Sequence, residues 1–242
     1  MSSFWDRVAG LPGLSPVVDY QAEETPWARY VTRLHLLALE RTARLRPADR
    51  VLDYGCGVGR ITDWIAPRVG EVIGLDTSVP MIEEARRRCA HPNVRFDAIE
   101  GPPFPCRNLD AATAIWVFQH VLDDGELGAV LDALAGALRP GAAVYCIDRL
   151  SREPVDHGES SYLRLRTTEQ YRRAFESRGL ALVQSHPISI DEQVLGRPWL
   201  TERVKGGLAV AGALARLDLR WARRQHAPLV ADWLSHWALD SP

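Results

Sequence analysis

Four cysteines in 242 residues form no CxxC pair, and no histidine cluster stands near them at zinc-ligand spacing. Neither a structural metal nor a disulfide framework is expected. Net positive charge is missing as well: the formal charge is −2, so no overall field would hold a polyanion, and nucleic acid is not an expected partner. Lysine is almost absent, Lys205 being the only one, and base composition explains the arginine bias more simply than phosphate recognition does. No run approaches 18 uninterrupted apolar residues, and the opening MSSFWDRVAG lacks a basic stretch followed by an apolar one. No membrane association is expected, and the expected location is cytoplasmic. What is plentiful is apolar and aromatic mass, 46 % hydrophobic residues with eight tryptophans, enough for one sizeable core with appendages.

Residues 1–16 carry Pro12, Gly13 and Pro16 and read as an irregular lead-in opened by a short helix. Over 27–45 the apolar residues recur near helical spacing, and Pro47 closes the run. Beyond it the pattern changes. Short apolar stretches at 50–54, 71–75, 94–99, 109–116 and 142–148 read as strands, alternating with helices at 58–66, 78–89, 126–138 and 168–178. Gly179 is a plausible C-cap before a further strand at 180–186. Such alternation predicts parallel strands joined by crossover helices. From Thr201 onward, LTERVKGGLAVAGALARLDLRWARR and HAPLVADWLSHWAL read as helices that would serve as a lid, a dimer surface or cover for the core. The organisation expected is a helical cap over 1–46, an α/β core over 47–190 with a mostly parallel sheet and helices on both faces, and a helical C-terminal extension over 191–242.

The stretch VLDYGCGVGR runs a strand into the turn Gly55-Cys56-Gly57-Val58-Gly59 and then a helix. Glycines there permit tight dihedrals and let a ligand approach the main chain, at the sheet edge where α/β folds bind ligands. The spacing is GxGxG, not the GxGxxG of dinucleotide sites, which argues against a nicotinamide-dependent oxidoreductase. Asp53, two residues before the turn, would repel a pyrophosphate but suits an ammonium group. Asp76 ends the next strand, at the distance where a carboxylate accepts both ribose hydroxyls. Together the two acids fit an adenosyl amino acid.

VLDYGCGVGR followed by EVIGLDTSVPMIEEAR resembles the first two motifs of the class I S-adenosylmethionine-dependent methyltransferases, a Rossmann-like family. NVRFDAIEG, LDAATAIWVFQHV, LRPGAAVYCID and RLRTTEQYRRAFESRGL continue the likeness, which covers about residues 47–186. The resemblance implies that Gly55, Cys56, Gly57 and Gly59 lie under the methionine part of S-adenosyl-L-methionine, with Asp53 near its ammonium. It further implies Asp76 at the ribose, Thr77 and Met81 flanking the adenosine, and Glu100 with Gly101 beside the adenine. The family more often has Asp than Glu at that place, which leaves Asp97 as a substitute for Glu100. Ile115 and Trp116 would pass beside the sulfonium, and the product would be S-adenosyl-L-homocysteine.

Methyl transfer from a sulfonium is an in-line displacement in which the protein's task is to hold the reacting atoms about 3 Å apart. No metal is required. A hydroxyl acceptor needs a base, and His120, just beyond the fourth strand, is the candidate. Asp148 and His157 could line the same pocket. Tyr162, Arg164 and Arg166 alternate by two, so they would share one face that meets either an acidic acceptor or a salt-bridged edge. Tyr20, Trp27 and Tyr30 could form an aromatic lid or simply pack in the core. Trp116-Val117-Phe118-Gln119 lacks the Asn/Asp-Pro-Pro-aromatic signature of base methylation, so the expected partner is a small-molecule acceptor, a secondary metabolite or sugar-bearing compound. The resemblance implies methylation at oxygen, the commonest chemistry among similar proteins. Alternatives are N- or C-methylation, or a non-catalytic cofactor-binding module; a homodimer is one option for the assembly.

Overall fold

In a computed structural model, residues 4–18, 20, 26–151, 153, 162–188, 216 and 230–240 are described. The strands β1 (Arg50–Tyr54), β2 (Glu71–Asp76), β3 (Val94–Ala98), β4 (Leu109–Ile115), β5 (Leu138–Ser151), β6 (Leu180–Pro187) and β7 (Val230–Leu239) form one sheet in the order β3-β2-β1-β4-β5-β7-β6. The pairs from β3 through β5 are parallel, and β7 runs antiparallel to both β5 and β6.

Both faces of the sheet are buried, so adjacent residues of one strand serve two cores. Val51, Val72, Ala111 and Tyr145 meet helix α3 (Pro26–Thr42), while Leu52, Ile73, Ala112 and Val144 face α6 (Asp124–Ala137) and α7 (Thr168–Glu176). The helices begin where their chemistry dictates. The Asp123 side chain accepts from Glu126 N at the start of α6, and Thr167 with Gln170 forms a reciprocal capping box before α7. Helix α4 (Arg60–Ile65) follows the glycine turn, and α5 (Val79–Arg88) starts behind Ser78. Two short helices, α1 (Phe4–Val8) and α2 (Ser15–Val18), precede α3, and the Ser78 hydroxyl donates to Asp6 at 2.6 Å, tying α1 to the start of α5.

The segment HAPLVADWLSHWAL corrects the helical expectation: Val230–Leu239 is a strand inserted between β5 and β6. Val230, Trp233, Leu234 and Trp237 mimic helical spacing because β7 is apolar on both faces. Asp232 and Leu234 face the α3 side, and Trp237 faces α7, stacking on Phe175 at 4.4 Å. Asp232 and Ser235 are buried as well. LTERVKGGLAVAGALARLDLRWARR lies outside the described residues, Arg216 excepted. No helix among the described residues is long and apolar enough to cross a membrane.

Candidate active site

A cavity of about 400 Å³ opens at the carboxyl edge of the parallel strands. Its wall includes Asp53, Gly55, Cys56 and Gly57 at the end of β1, and Asp76, Thr77 and Met81 at the β2–α5 junction. Glu100 and Gly101 follow β3, Trp116 and His120 follow β4, and Trp5 and Val17 come from the N-terminal helices. Glu100 lines the cavity whereas Asp97 does not. Gly59 stands behind the wall, capping α4 at φ 83°.

The turn is backbone packed against side chains. Gly55 has φ 66°, and a Cβ there would sit 2.5 Å from a Val117 methyl, so both conformation and space demand glycine. Its N–H and that of Cys56 donate to the Leu75 carbonyl, at 2.7 and 3.0 Å. The Asp76 carboxylate accepts from Gly57 N at 2.8 Å and from Ser78 N at 2.9 Å, which locks the glycine turn to the end of β2. Burial raises its pKa against the pull of these N–H groups. Asp53 accepts from the hydroxyls of Thr62 at 2.6 Å and Thr113 at 2.8 Å. Burial pushes its pKa up to about 6, with the two hydroxyls opposing. This acid is held neutral or charged by a narrow margin, and a cation beside it would favour the charged form.

On the other wall, His120 sits in a 3₁₀ turn, Phe118–His120. Its Nδ1 lies 2.9 Å from the Tyr162 carbonyl oxygen, which only accepts, so Nδ1 carries the proton. Gln119 Oε1 accepts from Arg149 N at 2.8 Å, which turns the Gln119 amide nitrogen toward His120 Nε2 at 3.2 Å. His120 Nε2 therefore points a lone pair at a donor. Burial lowers the pKa of His120, so the neutral, basic form prevails at pH 7. The ring stacks on Tyr162 at 5.7 Å and meets Trp5 edge-on at 4.8 Å. Phe4 and Tyr20 complete this aromatic cluster.

Several expected lining residues do other work. Asp148 is buried behind the turn, accepting from Tyr171 Oη at 2.6 Å and Gln119 N at 3.2 Å; burial pushes its pKa up to about 7. Arg164 and Arg166 bond to Asp124 and to the carbonyls of Phe118, Val121 and Leu122, fixing the turn that carries His120. Tyr20 joins the aromatic cluster, but Tyr30, on α3, is core. The Trp27 side chain and His157 lie outside the described residues. Trp5 was not anticipated, because a short Pro-flanked lead-in gives no periodic signal. Arg60 and Asp232 were also missed. Among the described residues, one trio could hold a cation, Asp63, Cys89 and His91, with ligating atoms within 4.8 Å; it stands apart from the cavity, and Asp63 already pairs with His91 at 2.9 Å.

An adenosyl amino acid fits this donor set. Asp53, Asp76 and Glu100 offer acceptors for hydroxyl, ammonium or amine groups, and Ile61, Ile115 and Val130 supply apolar walls.

Residues 51–141 match the family described as a methyltransferase domain. The demethylmenaquinone methyltransferase of Symbiobacterium thermophilum is 31 % identical over 112 residues, 43 % of this chain and 43 % of that protein. The match thus spans less than half of that relative's length. The malonyl-[acyl-carrier protein] O-methyltransferase of Salmonella typhimurium is 27 % identical over 199 residues, 72 % of this chain and 75 % of that one. Among solved structures, the [4+2]-cyclase SpnF superposes with a TM-score of 0.66 at 20 % identity, covering 98 % of this chain and 92 % of that one. At that identity the likeness bears on the fold alone.

Proposed function

We propose that this chain, which belongs to the class I S-adenosylmethionine-dependent methyltransferases, methylates a small-molecule acceptor at oxygen, with S-adenosyl-L-methionine as methyl donor. The observation that carries this reading is the gathering of Gly55, Gly57, Asp76, Thr77, Met81 and Glu100 in one cavity with His120 opposite. When bound, the cofactor supplies an electrophilic methyl group, and S-adenosyl-L-homocysteine is released. Asp76 would hold the ribose and Glu100 the adenine amine, while Asp53 takes the ammonium and Met81 packs on the adenosine. Gly101 and Thr77 border the same part of the cavity, Cys56 fills the floor of the turn, and Trp116 flanks the reacting centre.

Oxygen is the chosen acceptor atom because His120 keeps its Nε2 unprotonated. A hydroxyl that approaches takes the place of the Gln119 amide at Nε2 and gives up its proton there. Trp5 and Tyr162 against the ring exclude water from that exchange. The relatives named for a quinone precursor and for a carrier-bound malonyl group agree with acceptors of small size.

Calorimetric titration with S-adenosylhomocysteine, and with NAD in a parallel cell, tests the cofactor. Micromolar binding of the first alone supports the reading, and a screen of hydroxylated acceptors for a mass gain of one methyl group follows. Binding of NAD alone would overturn it. The fold shared with a cyclase supplies the second reading, in which S-adenosylhomocysteine binds but no acceptor ever gains a methyl group.

A further inference from the structure

The geometry points to Arg60 as the anchor for the carboxylate of the bound adenosyl amino acid, with His35 and Asp232 as positioning residues that aim it. This rests on the cofactor reading above.

Among the described residues that line the cavity, Arg60 is the only Lys or Arg. It follows the glycine turn directly and lines the same cavity as Asp53, Gly57 and Trp116. Among the described residues its hydrogen-bond partners are neutral. Nη1 lies 3.2 Å from His35 Nδ1 and 3.4 Å from Thr32 Oγ1, both on α3. A half-buried guanidinium that faces a cavity, hydrogen-bonded to neutral groups and drawn by Asp53 and Asp232 only through space, lacks a directly bonded counter-charge. A ligand carboxylate supplies it, and the fork of N–H donors beyond Nη1 suits that shape. Asp53 across the wall suits the ammonium, so the pair matches both charges of a zwitterion.

The frame behind Arg60 is what aims it. A guanidinium only donates, so His35 Nδ1 must accept, and the imidazole proton sits on Nε2. That Nε2 is fully buried, makes no hydrogen bond, and faces Asp232 Oδ2 at 3.7 Å. Asp232 Oδ1 accepts from Trp116 Nε1 at 3.1 Å. Trp116 itself holds the left-handed φ of 58°, a strained conformation for a tryptophan, and its ring meets His35 edge-on at 4.9 Å. Two lining residues from different elements, Arg60 and Trp116, thus hang on one buried polar frame drawn from α3 and β7.

The test compares S-adenosylhomocysteine with its decarboxylated analogue, which keeps the amine and loses only the carboxylate. Wild type should prefer the first by about tenfold or more, the worth of a charge-assisted pair. In Arg60→Met, S-adenosylhomocysteine should weaken about tenfold while the analogue stays within about twofold, erasing the preference. Asp232→Asn should act in the same direction, about threefold and on the carboxylate-bearing ligand alone, because it frees the frame without removing the anchor. If Asp232→Asn does not fold, Thr32→Val reads the same selectivity by removing one Arg60 partner. Equal losses on both ligands in Arg60→Met would make Arg60 structural and sink the assignment, as would a wild type that binds both equally. A wild type that binds neither ligand would overturn the cofactor reading itself, which is a different failure.

Discussion

Around the Gly55–Gly59 turn the cavity wall is made of backbone, whereas around Trp116–His120 it is made of side chains held by other side chains. The first wall depends on positive φ at Gly55 and Gly57, on two N–H groups turned to the Leu75 carbonyl, and on Asp76 reaching back to Gly57. These partners lie in β1, β2 or the turn between β1 and α4, while Thr62 of α4 and Thr113 of β4 hold Asp53. The second wall draws on residues far apart in sequence: Trp116 with Asp232, His120 with Tyr162, Gln119 with Asp148. On the proposed reading, local backbone geometry serves a cofactor whose shape is constant. Long-range polar frames can be rebuilt around different acceptors without touching the turn.

If the two regions are energetically separate, damage to one should leave the other intact, and the largest effect expected is on stability. Trp237, 1 % exposed, stacks on Phe175 at the β7–α7 contact, remote from the cavity lining. Trp237→Ala should cost about 3–5 kcal/mol in denaturant unfolding. The affinity of the folded fraction for S-adenosylhomocysteine should stay within about twofold. A matching loss of affinity would show that the Trp237–Phe175 packing reaches the glycine turn, and the contrast between local and long-range construction would collapse.

Next in size is His120→Ala, which should lower turnover about 100-fold or more while cofactor affinity moves less than about threefold. Equal losses in both would reassign His120 to structure. Because burial lowers its pKa, the base form persists on acidification, so the acid limb of the rate profile should fall below the ordinary histidine value of 6.5.

The same contrast explains what could be read in advance. The ends of β1, the N-terminus of α7 and the acid closing β2 were legible because each is written locally, in an apolar run, a Thr-x-x-Gln box or a strand-end Asp. The glycine turn was legible because φ above zero selects its own residue type. Strand β7 was not, since a strand buried on both faces carries no alternation, and Trp116, which donates to its buried Asp232, lies 116 residues away. Arg166 was legible as a cation in an extended segment, but not as the clamp on the Phe118 and Val121 carbonyls. Side-chain frames of this kind become visible only once the topology has brought the elements together.

A smaller effect is expected at the first wall. Asp76→Ala should weaken S-adenosylhomocysteine by about tenfold or more, since it removes the acceptor proposed for the ribose and releases Gly57 N–H. Thermal stability should fall little, because relief of a buried carboxylate offsets the two lost hydrogen bonds. Unchanged affinity in a titration would remove the ribose assignment.

The smallest effect separates the walls by pH. Asp148 has its folded pKa pushed up to about 7 by burial, against a reference of 3.8, so the folded state holds a proton that the unfolded state has released between those values. Stability therefore falls as pH rises from about 4 to about 7, the sign opposite to that of a salt-bridged carboxylate. Asp148→Asn carries the neutral form at every pH and keeps an oxygen for Tyr171 Oη or Gln119 N. Relative to wild type, the variant should gain in melting temperature as pH is raised from 5 to 8, by an amount on the order of 1 kcal/mol in stability. The affinity for S-adenosylhomocysteine at the first wall should not follow that change. A pH-independent difference between variant and wild type would mean that Asp148 stays ionised throughout, and that Arg166 or a neighbour compensates it more strongly than burial opposes it.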